Sequence, residues 1–360
     1  MINKLTAGGI IFFIIFIIFI SSCNDETTGP VQNNDPVIGG YQNTESAQCM
    51  TLSTLAYVNE NNTAYIKDSL IIQLSNTGYA TGGKWVLDWG PGLSPDKANM
   101  MYVAKDTSTN PDSYCIAVRG TDWCFPFDWK QDLGAIDFVD YPYGNGTADS
   151  VSYGAIEGLN ALLAMTDSVT GKTLAQYLNN FPSGTNRMYI TGHSLGGQLA
   201  TILSSWFLDN GYSSKFSLKA YTYAAPSVGN QNYVDHYTQI FSAANAESHR
   251  VINTNDLVPQ FSANLVNVIV NQIPTTLPIE VDAVILGIQT YFVKYDLIYK
   301  DVGVKYELGT LTPTDCNYAP GSLDQYECWV AFEHHTTNYL KLLNAPVTNF
   351  TTVPCKWEQP

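Results

Sequence analysis

Met188-Tyr189-Ile190-Thr191-Gly192-His193-Ser194-Leu195-Gly196-Gly197 is the stretch on which the fold turns. Met188 to Thr191 reads as a short strand, and Leu195 to Leu208 as a helix. Between them, Gly192-His193-Ser194-Leu195-Gly196 fits Gly-x-Ser-x-Gly. That pattern marks a Ser held on a sharp, strained strand-to-helix turn with its hydroxyl exposed. The two glycines remove side chains where strand and helix crowd together. Gly196, Gly197 and Ala200 keep the opening face of the helix small, which permits close packing. The helix N-terminus directs partial positive charge at the Ser oxygen. A bare match arises by chance roughly 0.1 times in a chain of this composition, so the flanking strand and helix carry the reading. Ser194 is the candidate nucleophile, and His193 is a structural neighbour of the turn.

Working outward, Ala47, Met50, Leu52, Leu55, Ala56 and Val58 have helical spacing and predict an opening helix from Glu45. Met101 to Ala104 and Tyr114 to Val118 predict strands joined by a turn-rich hairpin link, Thr107 to Asp112. Ala155 to Met165 and Thr173 to Leu178 read as helical. Lys219 to Tyr223 and Arg250 to Asn253 read as further strands. Strands alternating with helices predict an α/β class with a mostly parallel sheet covered on both faces.

A Ser on such a turn takes its acid and then its His from later in the chain. Of the five histidines, His193, His236, His249, His334 and His335, the base must follow the acid. Arg250-Val251-Ile252-Asn253 is the best late strand, and Asp256 lies just beyond it, before Val258 and Pro259 turn the chain. The other acids in the window, Asp209, Asp235, Asp282, Asp296, Asp301, Asp315 and Asp324, lack this strand-then-turn setting. With Asp256 as the acid, His334 and His335 remain as bases. The acid would orient the imidazole and the imidazole would take the Ser proton.

The chain has 360 residues, 45% of them hydrophobic, with 23 Tyr and 7 Trp, enough for a large core. A formal net charge of −15 is repelled by phosphate backbones and argues against a nucleic-acid partner. Lys4 and the unbroken Ile and Phe run Ile10 to Ile20 predict an export signal, too short to span a bilayer comfortably. Ile20-Ser21-Ser22-Cys23 resembles a bacterial lipoprotein cleavage box, which implies lipidation of Cys23 and attachment to a membrane surface of the cell envelope. The expected organisation is a signal peptide over 1–22, a flexible tether over 23–44 and one domain over 45–360. Of seven cysteines, Cys23 stands apart and six remain. An even number outside the cytoplasm points to disulfides, and six allow 15 pairings. Cys316 and Cys328 could close a local loop. The cysteine spacings do not form zinc-ligand pairs. Gly-rich phosphate loops and dinucleotide signatures are also missing, and the chemistry expected of Ser194 needs no cofactor.

Four separated pieces resemble the class 3 lipase family, which includes fungal triacylglycerol lipases, feruloyl esterases and plastid phospholipases A1. Val118-Arg119-Gly120-Thr121, followed by Asp128-Trp129 and Asp132, is similar to the family's oxyanion strand. Ile190 to Gly197 is similar to its elbow. Tyr223 to Asn230 is similar to its G-x-P-x-x-G-N segment, with Ala224 where Gly is usual. Arg250 to Pro259 is similar to its acid segment. The matches run in order over roughly Glu45 to Leu343. The resemblance implies an α/β-hydrolase fold and oxyanion donors from Thr121 and Leu195. It also favours His334 over His335, by the spacing to Tyr339-Leu340. It implies a Cys49–Cys355 disulfide, as in some fungal relatives.

Two departures from the family stand out. An extra stretch, about 260–297, is rich in Val, Ile and Leu and contains Pro274 and Pro278. It fits either a cap over the pocket or a helix packed on the side. Trp123, Phe125, Phe127 and Trp129 alternate where relatives carry a lid. The resulting expectation is a serine carboxylic ester hydrolase, a triacylglycerol lipase or esterase acting through an acyl-enzyme. A phospholipase A1 or feruloyl-type esterase is the alternative within the family. A non-catalytic surface-binding lipoprotein on the same scaffold is the alternative outside it.

Overall fold

Parallel pairing begins at the strand that leads into Ser194, and the architecture grows from it. The computed structural model describes residues 41–58, 63–120, 136–144, 148–184, 186–260, 263, 278–313 and 316–350. These belong to a unit spanning Pro36–Pro360. The signal, Cys23 and most of the tether lie outside the described residues. So do Thr121, the aromatic run from Trp123 to Trp129, and Cys355.

The main elements, in chain order, are helices α1 (Asn43–Leu55) and α2 (Ile66–Leu74), then strands β1 (Trp85–Leu93), β2 (Met100–Asp106) and β3 (Ser113–Val118). A small hairpin, β4 (Phe138–Asp140) and β5 (Ser150–Ser152), precedes α3 (Tyr153–Ala164) and α4 (Leu174–Asn179). Then follow β6 (Asn186–His193), α5 (Leu195–Asp209), β7 (Phe216–Tyr223), α6 (Gln231–Ala243) and β8 (Glu247–Ile252). The chain continues through α7 (Ile279–Lys294), β9 (Val304–Glu307), α8 (Leu323–His334) and α9 (Thr336–Leu342). The seven-stranded sheet has the order β1-β2-β3-β6-β7-β8-β9. β1, β2 and β3 pair antiparallel, and every later pairing is parallel. This is the mostly parallel α/β sheet expected from the alternation of elements, in the α/β-hydrolase arrangement that the family resemblance implied.

Side chains alternate across a strand, so each strand feeds two cores. Met101, Val103, Ile116, Val118, Met188 and Ile190 point to the face covered by α3, α5 and α6, where they meet Leu159, Leu199, Leu203 and Phe241. Tyr102, Ala104, Cys115, Ala117, Tyr189 and Tyr221 point to the other face and meet Met50, Leu52 and Leu55 of α1 and Leu70 of α2. Glu45 fastens α1 to that face, taking hydrogen bonds from Lys219 at 2.9 Å, Tyr189 at 2.9 Å and Tyr221 at 3.1 Å.

Of the extra stretch, 261, 262 and 264–277 lie outside the described residues. Its second half is α7. Val281 packs on Leu257, Tyr326 and Val330, while Tyr291 donates to Asp137 Oδ1 at 2.7 Å. The helix therefore packs along the turn after β8 and along α8. Ile279 and Val293 stay 80% and 84% exposed.

Cys316 and Cys328 form a disulfide. The expected pairing of Cys49 with Cys355 is not met. Cys49 is a free thiol, fully buried between α1 and the sheet, where it contacts the equally buried Cys115. Its position on the inner face of α1 directs it at β3, and Cys355 lies outside the described residues.

Candidate active site

Strand β6 ends at His193 and α5 begins at Leu195, so Ser194 alone turns the chain. Its φ is 62° and ψ −133°, a region that costs a non-glycine residue on the order of 1–3 kcal/mol. Neighbours fix it there. The Ser194 N–H donates to the Tyr223 carbonyl at 2.9 Å, and the Ser194 carbonyl accepts from Gly197 at 2.8 Å and Gln198 at 3.1 Å. The glycines are required by contact. A Cβ on Gly192 would lie 2.1 Å from the Gly196 oxygen, and one on Gly196 would lie 2.4 Å from the Val118 oxygen. Strand, turn and the end of β3 thus pass within backbone contact of one another.

Asp256 follows β8 in a tight turn closed by its N–H on the Asn253 carbonyl at 3.0 Å. Its Oδ1 accepts the Val258 N–H at 3.0 Å, and its Oδ2 accepts the Tyr339 hydroxyl at 2.7 Å. His334 is the last residue of α8. Its Nδ1 lies 2.6 Å from Asp256 Oδ2 and its Nε2 lies 3.1 Å from Ser194 Oγ. The three residues singled out in the sequence are thereby brought together in one hydrogen-bonded chain. His335 is not part of it. Its Nδ1 accepts the Thr337 N–H at 3.1 Å and caps α9. His193 is fully buried, and its Nε2 donates to the His334 carbonyl at 3.0 Å, which ties the elbow to the end of α8.

Burial pushes both partners of the Asp256–His334 pair toward their neutral forms. It lowers the imidazole well below its usual range and raises the carboxyl, against the pull of Tyr339, Val258 and Arg250. The shift of the imidazole is the one that matters for chemistry. It keeps the ring neutral, with the Nδ1 proton directed at Asp256 and the Nε2 lone pair at Ser194. Arg250 is itself buried. It donates to the Ala225 carbonyl at 2.6 Å and to the Pro259 carbonyl, and pairs with Asp301 at 3.1 Å. The bond to Pro259 ties β8 to the far end of the Asp256 turn.

Of the expected oxyanion donors, Thr121 lies outside the described residues. Leu195 is the first residue of α5, so its N–H belongs to the helix-initial amides that have no partner within the helix. Sequence reasoning missed Tyr57. Its hydroxyl accepts the Gly120 N–H and donates to the His193 carbonyl, both at 3.2 Å, and so links the segment before Thr121 to the elbow. Tyr57 ends a helical pattern in which it reads as one more core aromatic, and no motif contains it. Asn253 and Glu333, which hydrogen-bond to each other at 2.6 Å, carried no local signal either.

Among known families, the profile described as Lipase (class 3) matches residues 115–266. Over short stretches the chain is 36% identical to Phospholipase A1-II 1 of Oryza sativa subsp. indica, across 72 residues that make up 20% of this chain and 18% of that protein. It is also 36% identical to Secreted mono- and diacylglycerol lipase 1 of Fusarium solani, across 76 residues, or 21% of this chain and 20% of the other. These matches span about a fifth of the curated relatives' length. Among solved structures, M37 lipase superposes with a TM-score of 0.68 at 21% identity, covering 84% of this chain and 93% of that one, which establishes the fold. Residues 115–266, which carry the end of β3, the Ser194 turn and the Asp256 turn, are thus similar to the class 3 lipase family.

Proposed function

We propose that the chain is a serine carboxylic ester hydrolase that acts on lipid esters, with Ser194 as nucleophile, His334 as base and Asp256 as the acid that orients it. The observation that carries this reading is the continuous hydrogen-bonded chain from Ser194 Oγ through the His334 ring to Asp256, 3.1 and 2.6 Å, built on a strained turn. Attack of Ser194 Oγ on the acyl carbonyl carbon forms the C–O bond, while His334 Nε2 takes the hydroxyl proton. The charge that develops on the carbonyl oxygen is met by the Leu195 N–H and by donors at Thr121. Collapse breaks the bond to the leaving alcohol, which departs with the proton from Nε2 and leaves an acyl-Ser194. Water then repeats the sequence: His334 takes its proton and later returns it to Ser194.

Acylglycerols or similar esters are the first substrate class. A phospholipid ester is the second reading, favoured by the local identity to the rice phospholipase A1. Lipidation of Cys23, read from Ile20-Ser21-Ser22-Cys23, would hold the enzyme on a membrane surface of the cell envelope, close to such substrates.

The test is hydrolysis of a p-nitrophenyl ester series, acetyl to palmitoyl, by the mature protein and by Ser194→Ala. Loss of about 10⁶-fold in the variant is expected, together with fluorophosphonate labelling of the wild type only. A folded Ser194→Ala protein with near-native activity ends the proposal, and a wild type inert on every ester favours a binding protein. For the anchor, mass spectrometry of the mature N-terminus should find a modified Cys23. An unmodified start elsewhere rejects it.

A further inference from the structure

Glu333, the residue before His334, is only 2% exposed. A carboxylate is rarely buried this completely without donors to hold it. Here the donors are two amides of the Asp256 turn. Asn253 Nδ2 reaches Glu333 Oε2 at 2.6 Å, and Asn255 Nδ2 reaches Oε1 at 3.3 Å. Asn253 Nδ2 also donates to the Glu333 main-chain oxygen at 2.7 Å. The Asn253 N–H donates to Tyr339 Oη at 3.0 Å, and Tyr339 donates to Asp256. With the Asp256–His334 contact, a ring closes: Asp256, His334, Glu333, Asn253, Tyr339 and back to Asp256.

We infer that Glu333 is a positioning residue whose buried carboxylate, by gripping Asn253 and Asn255, sets the distance between the end of α8 that carries His334 and the turn that carries Asp256. This inference rests on the ester-hydrolase reading above. Stability alone does not ask for a carboxylate here, since a neutral side chain costs less to desolvate. Burial and the nearby Asp256 push the Glu333 pKa up, and the two amides oppose that shift by holding the charged form. The grip acts on geometry at the one place where geometry decides rate. A displacement of about 1 Å between reacting groups can cost on the order of 10²-fold.

The experiment measures kcat and KM for Glu333→Ala and Glu333→Gln on one soluble p-nitrophenyl ester, with thermal stability recorded for each. Glu333→Ala should lose about 10- to 10²-fold in kcat with KM nearly unchanged. Glu333→Gln, which keeps one acceptor oxygen, should fall between it and the wild type. The downfield proton resonance of His334 Nδ1–H should shift or broaden in both. Asp209→Asn is the control. It alters a different, partly buried carboxylate, one that accepts from Tyr141 at 2.8 Å and faces His236 at 3.1 Å, and it should lower stability while leaving kcat in place. If Glu333→Ala does not fold, Glu333→Gln and Asn255→Ala carry the test, and both must show the kcat loss. Wild-type kcat in the folded variants, or a loss that merely tracks stability as in Asp209→Asn, overturns the inference. Retained activity in Ser194→Ala would instead overturn the hydrolase reading on which it stands.

Discussion

Tyr339 Oη lies 2.7 Å from Asp256 Oδ2, the same carboxylate oxygen that lies 2.6 Å from His334 Nδ1. Two donors on one oxygen, with the Val258 N–H on the other, leave the carboxylate a single orientation. Tyr339 is fully buried, so its hydroxyl has no water to exchange with. Tyr339→Phe removes the donor from Asp256 and the acceptor from the Asn253 N–H. A buried polar group stripped of its partner costs about 1–3 kcal/mol. The expected outcome is a loss of stability of that order in denaturant unfolding, with kcat lower by about tenfold, one such bond's worth. An unchanged kcat would show that the Val258 and His334 contacts suffice to hold Asp256.

The close approach of β3 to the elbow yields a second expectation. A Cβ at position 196 would lie 2.4 Å from the Val118 oxygen and 2.6 Å from the Gly120 nitrogen, both backbone atoms that cannot rotate away. Gly196→Ala must therefore displace the segment that leads to Thr121 from the start of α5. Oxyanion donors act only within a narrow distance of the developing charge, and the loss of one costs about 10²–10³-fold in rate. Ester hydrolysis should fall by at least that factor in a protein that still folds. Activity near wild type would mean that the oxyanion site does not depend on this contact.

The sheet was legible because its strands carry their own signals. Met100–Asp106, Ser113–Val118, Asn186–His193 and Phe216–Tyr223 contain the apolar runs read from the sequence, and their bounds differ from the reading by only a few residues. β1 was not legible. Gly90, Pro91 and Gly92 interrupt it, and it pairs with β2 through register shifts at Leu87/Trp89 and Trp89/Gly92. α6 was missed because Tyr233, His236 and Tyr237 occupy its buried face, and polar-tipped residues do not register as an apolar stripe. At the candidate site, turn chemistry and chain order singled out Ser194 and Asp256 but left His334 and His335 both open, and the family resemblance favoured His334. Tyr57 and Glu333 escaped the reading, and Arg250 and Asn253 entered it only as strand residues, because their contacts with His193, Gly120, Ala225 and one another's segments cross sequence separations that no local pattern encodes.

The Cys316–Cys328 bridge supports a third prediction. It joins the loop before α8 to the helix that ends in His334, with a sequence separation of 12. Closing a loop of this size stabilises by about 3 kcal/mol in the chain-entropy account. Cys328→Ser should lose stability of that order and loosen α8, so kcat should fall as well. Non-reducing peptide mapping should recover the two cysteines linked, and Cys49 and Cys115 should alkylate only after unfolding. Free Cys316 and Cys328 in the native protein would defeat this account.

The neighbouring histidines give the sharpest contrast. On the proposed mechanism, His334 alone has both required contacts, Nε2 to Ser194 and Nδ1 to Asp256. His335 turns away into the start of α9, where its Nδ1 takes the Thr337 N–H. Burial, with the Lys341 charge nearby, brings its pKa down to about 4, so it stays neutral and able to accept that bond at ordinary pH. His334→Ala should therefore reduce kcat/KM by several orders of magnitude, because Ser194 loses its proton acceptor. His335→Ala removes a helix cap and should cost about 1 kcal/mol of stability, with kcat/KM changed only a few-fold. Asp256→Asn should sit near the severe end, since an Asn amide favours the imidazole tautomer with its proton on Nε2, facing Ser194. The measurement is kcat/KM of all three variants on one soluble ester, after circular dichroism has established that each is folded. A dead His335→Ala beside an active His334→Ala would reassign the base to a ring that lies against α9. Equal, small effects from both would remove the base from this pair altogether and leave Ser194 without a proton acceptor.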